Sequence, residues 1–187
     1  MVGSAAVRIY EAARTERDVA SLLARVREAA DDWTLSALVA ASADREVDLI
    51  EAALASKSND RLLAFISALT PQVMHRSDQA GLIRLLRACS QSAPGATPLK
   101  AAVLAGLSEN TSWKPTLSAE LKTSLLTLLK DPEIGMRALS LIARWDTQGE
   151  MNSATQALIS ELLGKLSDST EPEDSRLAIA RSLIGLR

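Results

Sequence analysis

DPEIGMRALSLIARW (131–145) opens with a turn-forming Asp and a Pro, then runs into an Ala/Leu-rich helix. The same phrase returns as TPLKAAVLAGL from Thr97, as TEPEDSRLAIARSLIGL from Thr170 and, without the proline, as DDWTLSALVAA from Asp31. Pro98, Pro132 and Pro172 stand 34 and then 40 residues apart. Periods of this size mark helical hairpins that bury their apolar faces only against neighbouring hairpins. The expected fold is therefore all-α, an α-solenoid of about five hairpins over a single repeat domain, 1–187.

The helix stripes follow from the same reading. Val19, Leu22, Leu23 and Val26 fall at i, i+3, i+4 and i+7, which predicts a helix over about 16–30. Trp33, Leu35, Leu38 and Val39 belong to the next helix, and Val47, Ile50 and Leu54 to one started by Ser42 or Asp44. Leu62, Leu63, Phe65 and Ile66 follow the Asn59-Asp60 restart, and that helix is expected to end at Thr70-Pro71. Leu82, Leu85, Leu86 and Cys89 form another stripe before SAPGATP (92–98), the clearest loop of the chain. Later helices are expected over about 116–130 and 151–167. Thr97-Pro98 and Asp131-Pro132 read as an N-cap followed by proline at the first helical position. Thr170 and Glu173 have capping-box spacing. The restarts sum to about eleven helices.

Composition fits the pattern. Of 187 residues 47% are hydrophobic and only 3% aromatic, with one Phe and one Tyr. Such a core is filled by Leu, Ala, Ile and Val, and small Ala contacts let helices approach closely. The net charge of −2, from 21 basic and 23 acidic residues interleaved along the chain, lacks the basic excess expected of a nucleic-acid binder. One cysteine excludes an intrachain disulfide. No apolar run is long enough to span a membrane, and MVGSAAVRIYEAAR lacks a signal-peptide core. That N-terminal stretch instead resembles the second helix of a hairpin, which makes the chain an expected piece of a longer protein.

The sequence offers little for chemistry. His75 is the only histidine, placed in TPQVMHRSD between helices, and Cys89 sits on an apolar stripe, where a buried small hydrophobe is the default. Neither supplies a soft-ligand metal site, and no nucleophile elbow, phosphate loop or metalloprotease helix is present. No catalytic, cofactor-binding or metal-binding residue is assigned. Gly95 and Gly149 read as loop residues, and Gly106, Gly135, Gly164 and Gly185 as close-packing or helix-weakening positions. Trp33, Trp113 and Trp145 lie at or near helix ends. The ordinary use of such residues is packing between hairpins, and the functional use is an exposed partner anchor. Trp113, with Asn110 and Lys114 beside it in a loop, is the expected exposed one. The last helix (about 173–186) carries Leu177, Ile179, Leu183, Ile184 and Leu186 around much of its circumference. With the first helix (about 4–13) it is expected to present apolar surface to a neighbouring domain or second copy, rimmed by Arg176, Arg181 and Arg187.

The hairpins resemble HEAT-type repeats. DPEIGMRALSLIARW is similar to the Asp-Pro-x-Val-Arg opening of a HEAT second helix, with Gly135 at the Arg position and Arg137 two residues on. DDWTLSALVAASADREVDLIEAAL (31–54) and LKAAVLAGLSEN (99–110) are similar to the HEAT-like region of large bacterial proteins of the membrane-bound dehydrogenase type. In those, a sorbosone/quinoprotein dehydrogenase-like propeller precedes the helices and a c-type cytochrome domain follows. The resemblance implies a periplasmic or extracytoplasmic scaffold whose partners are proteins or flanking domains. This chain lacks the propeller and the haem motif, so no catalytic residue carries over. A HEAT-like DNA-repair glycosylase for alkylated bases, using Trp33 or Trp145 with Asp31, Asp32 or Asp146, and a pigment lyase or chaperone are the alternatives.

Overall fold

The computed structural model describes residues 2–76, 78–109, 113–170 and 172–184, with side chains from residue 5 onward apart from 178, 181 and 182. Among them the secondary structure is helical throughout, with eleven α-helices, one 3-10 turn (Pro94–Ala96) and no strand. The chain divides into two compact units, Met1–Pro115 and Thr116–Arg187.

The first unit contains α1 (Val2–Thr15), α2 (Val19–Arg27), α3 (Asp32–Ala41), α4 (Glu46–Leu54), α5 (Asp60–His75), α6 (Gln79–Gln91) and α7 (Thr97–Glu109). Alternate helices lie on one another: α1 on α3, α3 on α5 and α5 on α7, with α2 on α4 and α4 on α6 alongside. The predicted stripes supply this packing. Leu22, Leu23 and Val26 of α2, Leu49 and Ile50 of α4, Leu62, Phe65 and Ile66 of α5, and Leu82, Leu85 and Leu86 of α6 are buried. Short turns separate the helices, and capping side chains start three of them. Asp18 accepts from the amides of Ala20 and Ser21 (3.3 and 2.9 Å), Asp31 from Thr34 N (2.7 Å) and Asn59 from Leu62 N (2.8 Å).

A series of arginines ties turns and helices of this unit to ones about thirty residues earlier. Arg45 donates to the carbonyls of Glu16 and Arg17. Arg61 reaches Asp32 (2.7 Å) and the carbonyl of Ala30 (3.2 Å). Arg76 pairs with Asp44 and with the buried Glu46 (3.2 Å), and Arg84 with Asp48 (2.8 Å) and Glu51 (2.5 Å).

Several local expectations are corrected. α5 does not end at Thr70-Pro71 but runs through Pro71 to His75. Proline removes one backbone bond, and tertiary packing on both sides of α5 offsets that loss. Neither Ser42 nor Asp44 caps α4. Ser42 closes α3, its hydroxyl donating to Leu38 O (2.7 Å), while Asp44 takes a left-handed φ of 70° in the turn. In SAPGATP, Thr97 is itself helical and donates to Pro94 O (2.7 Å) instead of capping. The loop is thereby reduced to a few residues, one of them Gly95 inside the 3-10 turn.

The second unit contains α8 (Ala119–Leu129), α9 (Gly135–Trp145), α10 (Asn152–Ser167) and α11 (Glu173–Ile184). α8 packs on α9, and α10 on α11. Asp131-Pro132 forms a turn before α9 rather than its cap: Asp131 Oδ1 accepts from Glu133 N (3.0 Å), and the helix begins at Gly135. The capping box is absent. Thr170 donates to Asp168 from its amide (2.8 Å) and its hydroxyl (2.7 Å), so that hydroxyl serves the preceding turn. Hydrogen bonds from Thr170 likewise hold the Asp168 carboxyl below its ordinary pKa.

Candidate functional site

The exposed aromatic of this chain is Trp33, not Trp113. Trp33 stands in the first turn of α3 with 69% of its surface exposed. Its backbone is held from both sides. Asp31 caps the helix through Thr34, and Arg61 from α5 grips Asp32 and the carbonyl of Ala30. The hydrogen bonds from Thr34 hold the Asp31 carboxyl below its ordinary pKa. An indole on so constrained a turn loses little backbone freedom on meeting a partner, the condition under which an aromatic anchor contributes most.

Trp113 is half-buried beside exposed Lys114, and Asn110 lies outside the described residues. Trp145 ends α9 with 3% of its surface exposed, and its indole N–H has no acceptor among the described residues. It is a packing residue and offers a partner no surface, because the face of α9 that carries it is the one buried on its neighbours. The three tryptophans are not brought together.

In the last helix Leu177 and Ile184 are exposed (48% and 71%), Leu183 is half-buried and Ile179 is buried. Leu186 and Arg187 lie outside the described residues, as does the side chain of Arg181, while Arg176 donates to Leu166 O (3.2 Å). In the first helix Val7 is exposed at 55% and Ala13 is buried. His75 is exposed at the C-terminus of α5. Cys89 is fully buried, and burial pushes its thiol up to about 12, a form without nucleophilic thiolate at neutral pH. No group of three or more His, Cys, Asp or Glu side chains among the described residues has the arrangement of a metal site.

One polar cleft of about 240 Å³ opens between the α3–α4 and α5–α6 turns, lined by Asp44, Glu46, Asp48, Arg76 and Arg84. These charges are committed to one another, as the arginine series shows. Its ion pairs join the α3–α4 turn and α4 to the end of α5 and to α6. Nothing local in the sequence points to it, because partners some thirty residues apart on a uniformly mixed surface leave no local pattern.

No family model, no curated protein and no solved structure matches this chain.

Proposed function

We propose that the chain is a non-catalytic scaffold, an α-solenoid of HEAT-like hairpins that docks a protein partner or a flanking domain of the same polypeptide. The observation that carries this reading is the arginine series of the first unit. Arg45, Arg61, Arg76 and Arg84 each reach back between 28 and 36 residues, one hairpin length, to a carboxylate or turn carbonyl. Alternate-helix stacking with clamps recurring from Arg45 to Arg84 favours a linear array over a single closed core. The reading includes the HEAT-like resemblance of 31–54 and 99–110 as part of what is proposed.

Trp33 is the docking anchor in this reading. A photo-crosslinking amino acid at position 33, in the protein expressed in its native host, is expected to capture one defined protein or one defined segment of the same polypeptide. The same group at exposed Ala24 serves as control. Equal capture from both positions, or none from position 33, rejects Trp33 as the anchor.

A further inference from the structure

Helices α3, α5 and α7 of the first unit correspond residue by residue. Asp31 and Asn59 cap α3 and α5 alike, each accepting from the amide three residues on (2.7 and 2.8 Å). Ser42 and Thr70 keep the same spacing, and each is buried and donates to the carbonyl four residues back (2.7 and 2.8 Å). Buried Leu62, Ile66, Leu69 and Thr70 of α5 recur in α7 as buried Leu99, Val103, Gly106 and Leu107. One position of the first helical turn is therefore filled successively by Trp33, Arg61 and Pro98.

Arg61 shows what this position reaches. It donates to Asp32 (2.7 Å) and to Ala30 O (3.2 Å), in the turn of the hairpin before its own. Trp33 carries a donor at the same place, its indole N–H, and is 69% exposed. Pro98 carries none. At its step a cleft of about 560 Å³ opens between the α4–α5 and α6–α7 turns.

The cleft suits an indole. Leu54, Ala55, Ala88 and Ala93 give it apolar walls, and none of its lining residues is aromatic. Its volume falls within the about 300–1,000 Å³ usual for pockets that hold small ring systems. An indole N–H only donates, so its seat must offer acceptors. Ser56 and Ser92 line the cleft with hydroxyls already donating, to Ala53 O (2.7 Å) and Cys89 O (2.9 Å), which leaves their oxygens to accept. Helices α4 and α6 end there at Leu54 and Gln91, and the last carbonyls of a helix lack intrahelical partners. Exposed Lys57 on the rim is opposite in charge to the carboxylates of Asp31 and Asp32 beside Trp33.

We propose that Trp33 of one copy of the chain seats in this cleft of a second copy, an inference that rests on Trp33 being the docking anchor. The contact continues between molecules the series of turn contacts that Arg61 makes within one. It joins two different surfaces, so each copy keeps one anchor and one cleft for further copies.

Sedimentation equilibrium of the parent protein is expected to give a mass that rises above the monomer with concentration. Trp33→Ala removes the anchor, and Gly95→Phe fills the cleft from a position where nothing stands within 4 Å of a Cβ. Ala93→Phe, at an exposed residue of the same cleft, replaces Gly95→Phe should circular dichroism show that variant unfolded. Each variant alone is expected to keep the monomer mass. Their equal mixture should form a dimer and nothing larger, because one variant supplies the only open cleft and the other the only anchor. A parent protein that stays monomeric at millimolar concentration, association unchanged in either variant, or a mixture that stays monomeric overturns the pairing. Photo-crosslinking at position 33 separates this result from the docking role itself. Capture of a different protein by a monomeric chain keeps Trp33 as an anchor and rejects only the second copy.

Discussion

Gly106→Ala is the substitution whose outcome the packing of α5 on α7 determines most directly. A Cβ at position 106 would stand 2.7 Å from Thr70 Cβ, 3.1 Å from Thr70 Cγ2 and 3.2 Å from Pro71 Cδ, where ordinary contact begins at 3.4 Å. Neither neighbour can give way. Thr70 is fully buried and its hydroxyl donates to Ile66 O at 2.8 Å, which fixes its rotamer, and the Pro71 ring is rigid. The helices themselves must separate, an overpacking penalty of about 1–3 kcal/mol. Alanine returns about 1 kcal/mol through its higher helix propensity. The net expectation is a loss of about 1 kcal/mol, or a urea midpoint lower by about 0.5 M at an m-value of about 2 kcal/mol/M. Gly164→Ala is the control, since nothing stands within 4 Å of a Cβ there. With no clash, the propensity term acts alone and should stabilise by up to about 1 kcal/mol. Urea unfolding followed by circular dichroism reads both. A Gly106→Ala midpoint at or above that of the parent protein refutes the close-approach argument.

Two further outcomes follow from ionisable groups. Cys89 is expected to resist a thiol reagent at pH 8 in the folded protein and to react once urea is added, and equal rates in both states would contradict its burial. Its raised folded pKa favours the folded state below the ordinary thiol value of 9.0; that advantage is lost as pH climbs toward about 12. Asp18 and Asp31 run the opposite way. Hydrogen bonds from Ser21 and Thr34 lower their pKa values below 3.8, so their contribution is present above that pH and lost as pH falls through the lowered values. Asp31→Ala should lower the urea midpoint at pH 7, with the gap to the parent protein narrowing below pH 3.8; a gap independent of pH removes the capping explanation.

The helices were legible because burial follows the helical period. The i, i+3, i+4 stripes of α2, α5 and α6 land in the core, and Asp31 and Asn59 cap where their types suggest. What failed was decided by distant partners. Pro71 marks a helix end by its own chemistry, yet α5 continues through it because α4 and α7 pack along its length. Gly106 and Gly164 look alike in sequence, and only the neighbouring helix separates a tight crossing from an open surface. The tryptophans show the same limit. Position near a helix end did not distinguish exposed Trp33 from buried Trp145, since exposure depends on which face the adjacent hairpin covers.

The arginine series also bears on how the chain acquires its structure during synthesis. Each clamp joins residues no more than 36 apart, and the principal helix contacts of the first unit link elements at most three places apart in order. Loop closure therefore carries a similar, modest entropy cost at every step, the condition for rapid folding from local contacts. Arg45 can engage the turn at Glu16 and Arg17 before α5 has left the ribosome, and Arg61 can then engage the turn at Ala30 and Asp32. Growth of the first unit becomes sequential, each newly made hairpin finding its receptor already in place on the one before.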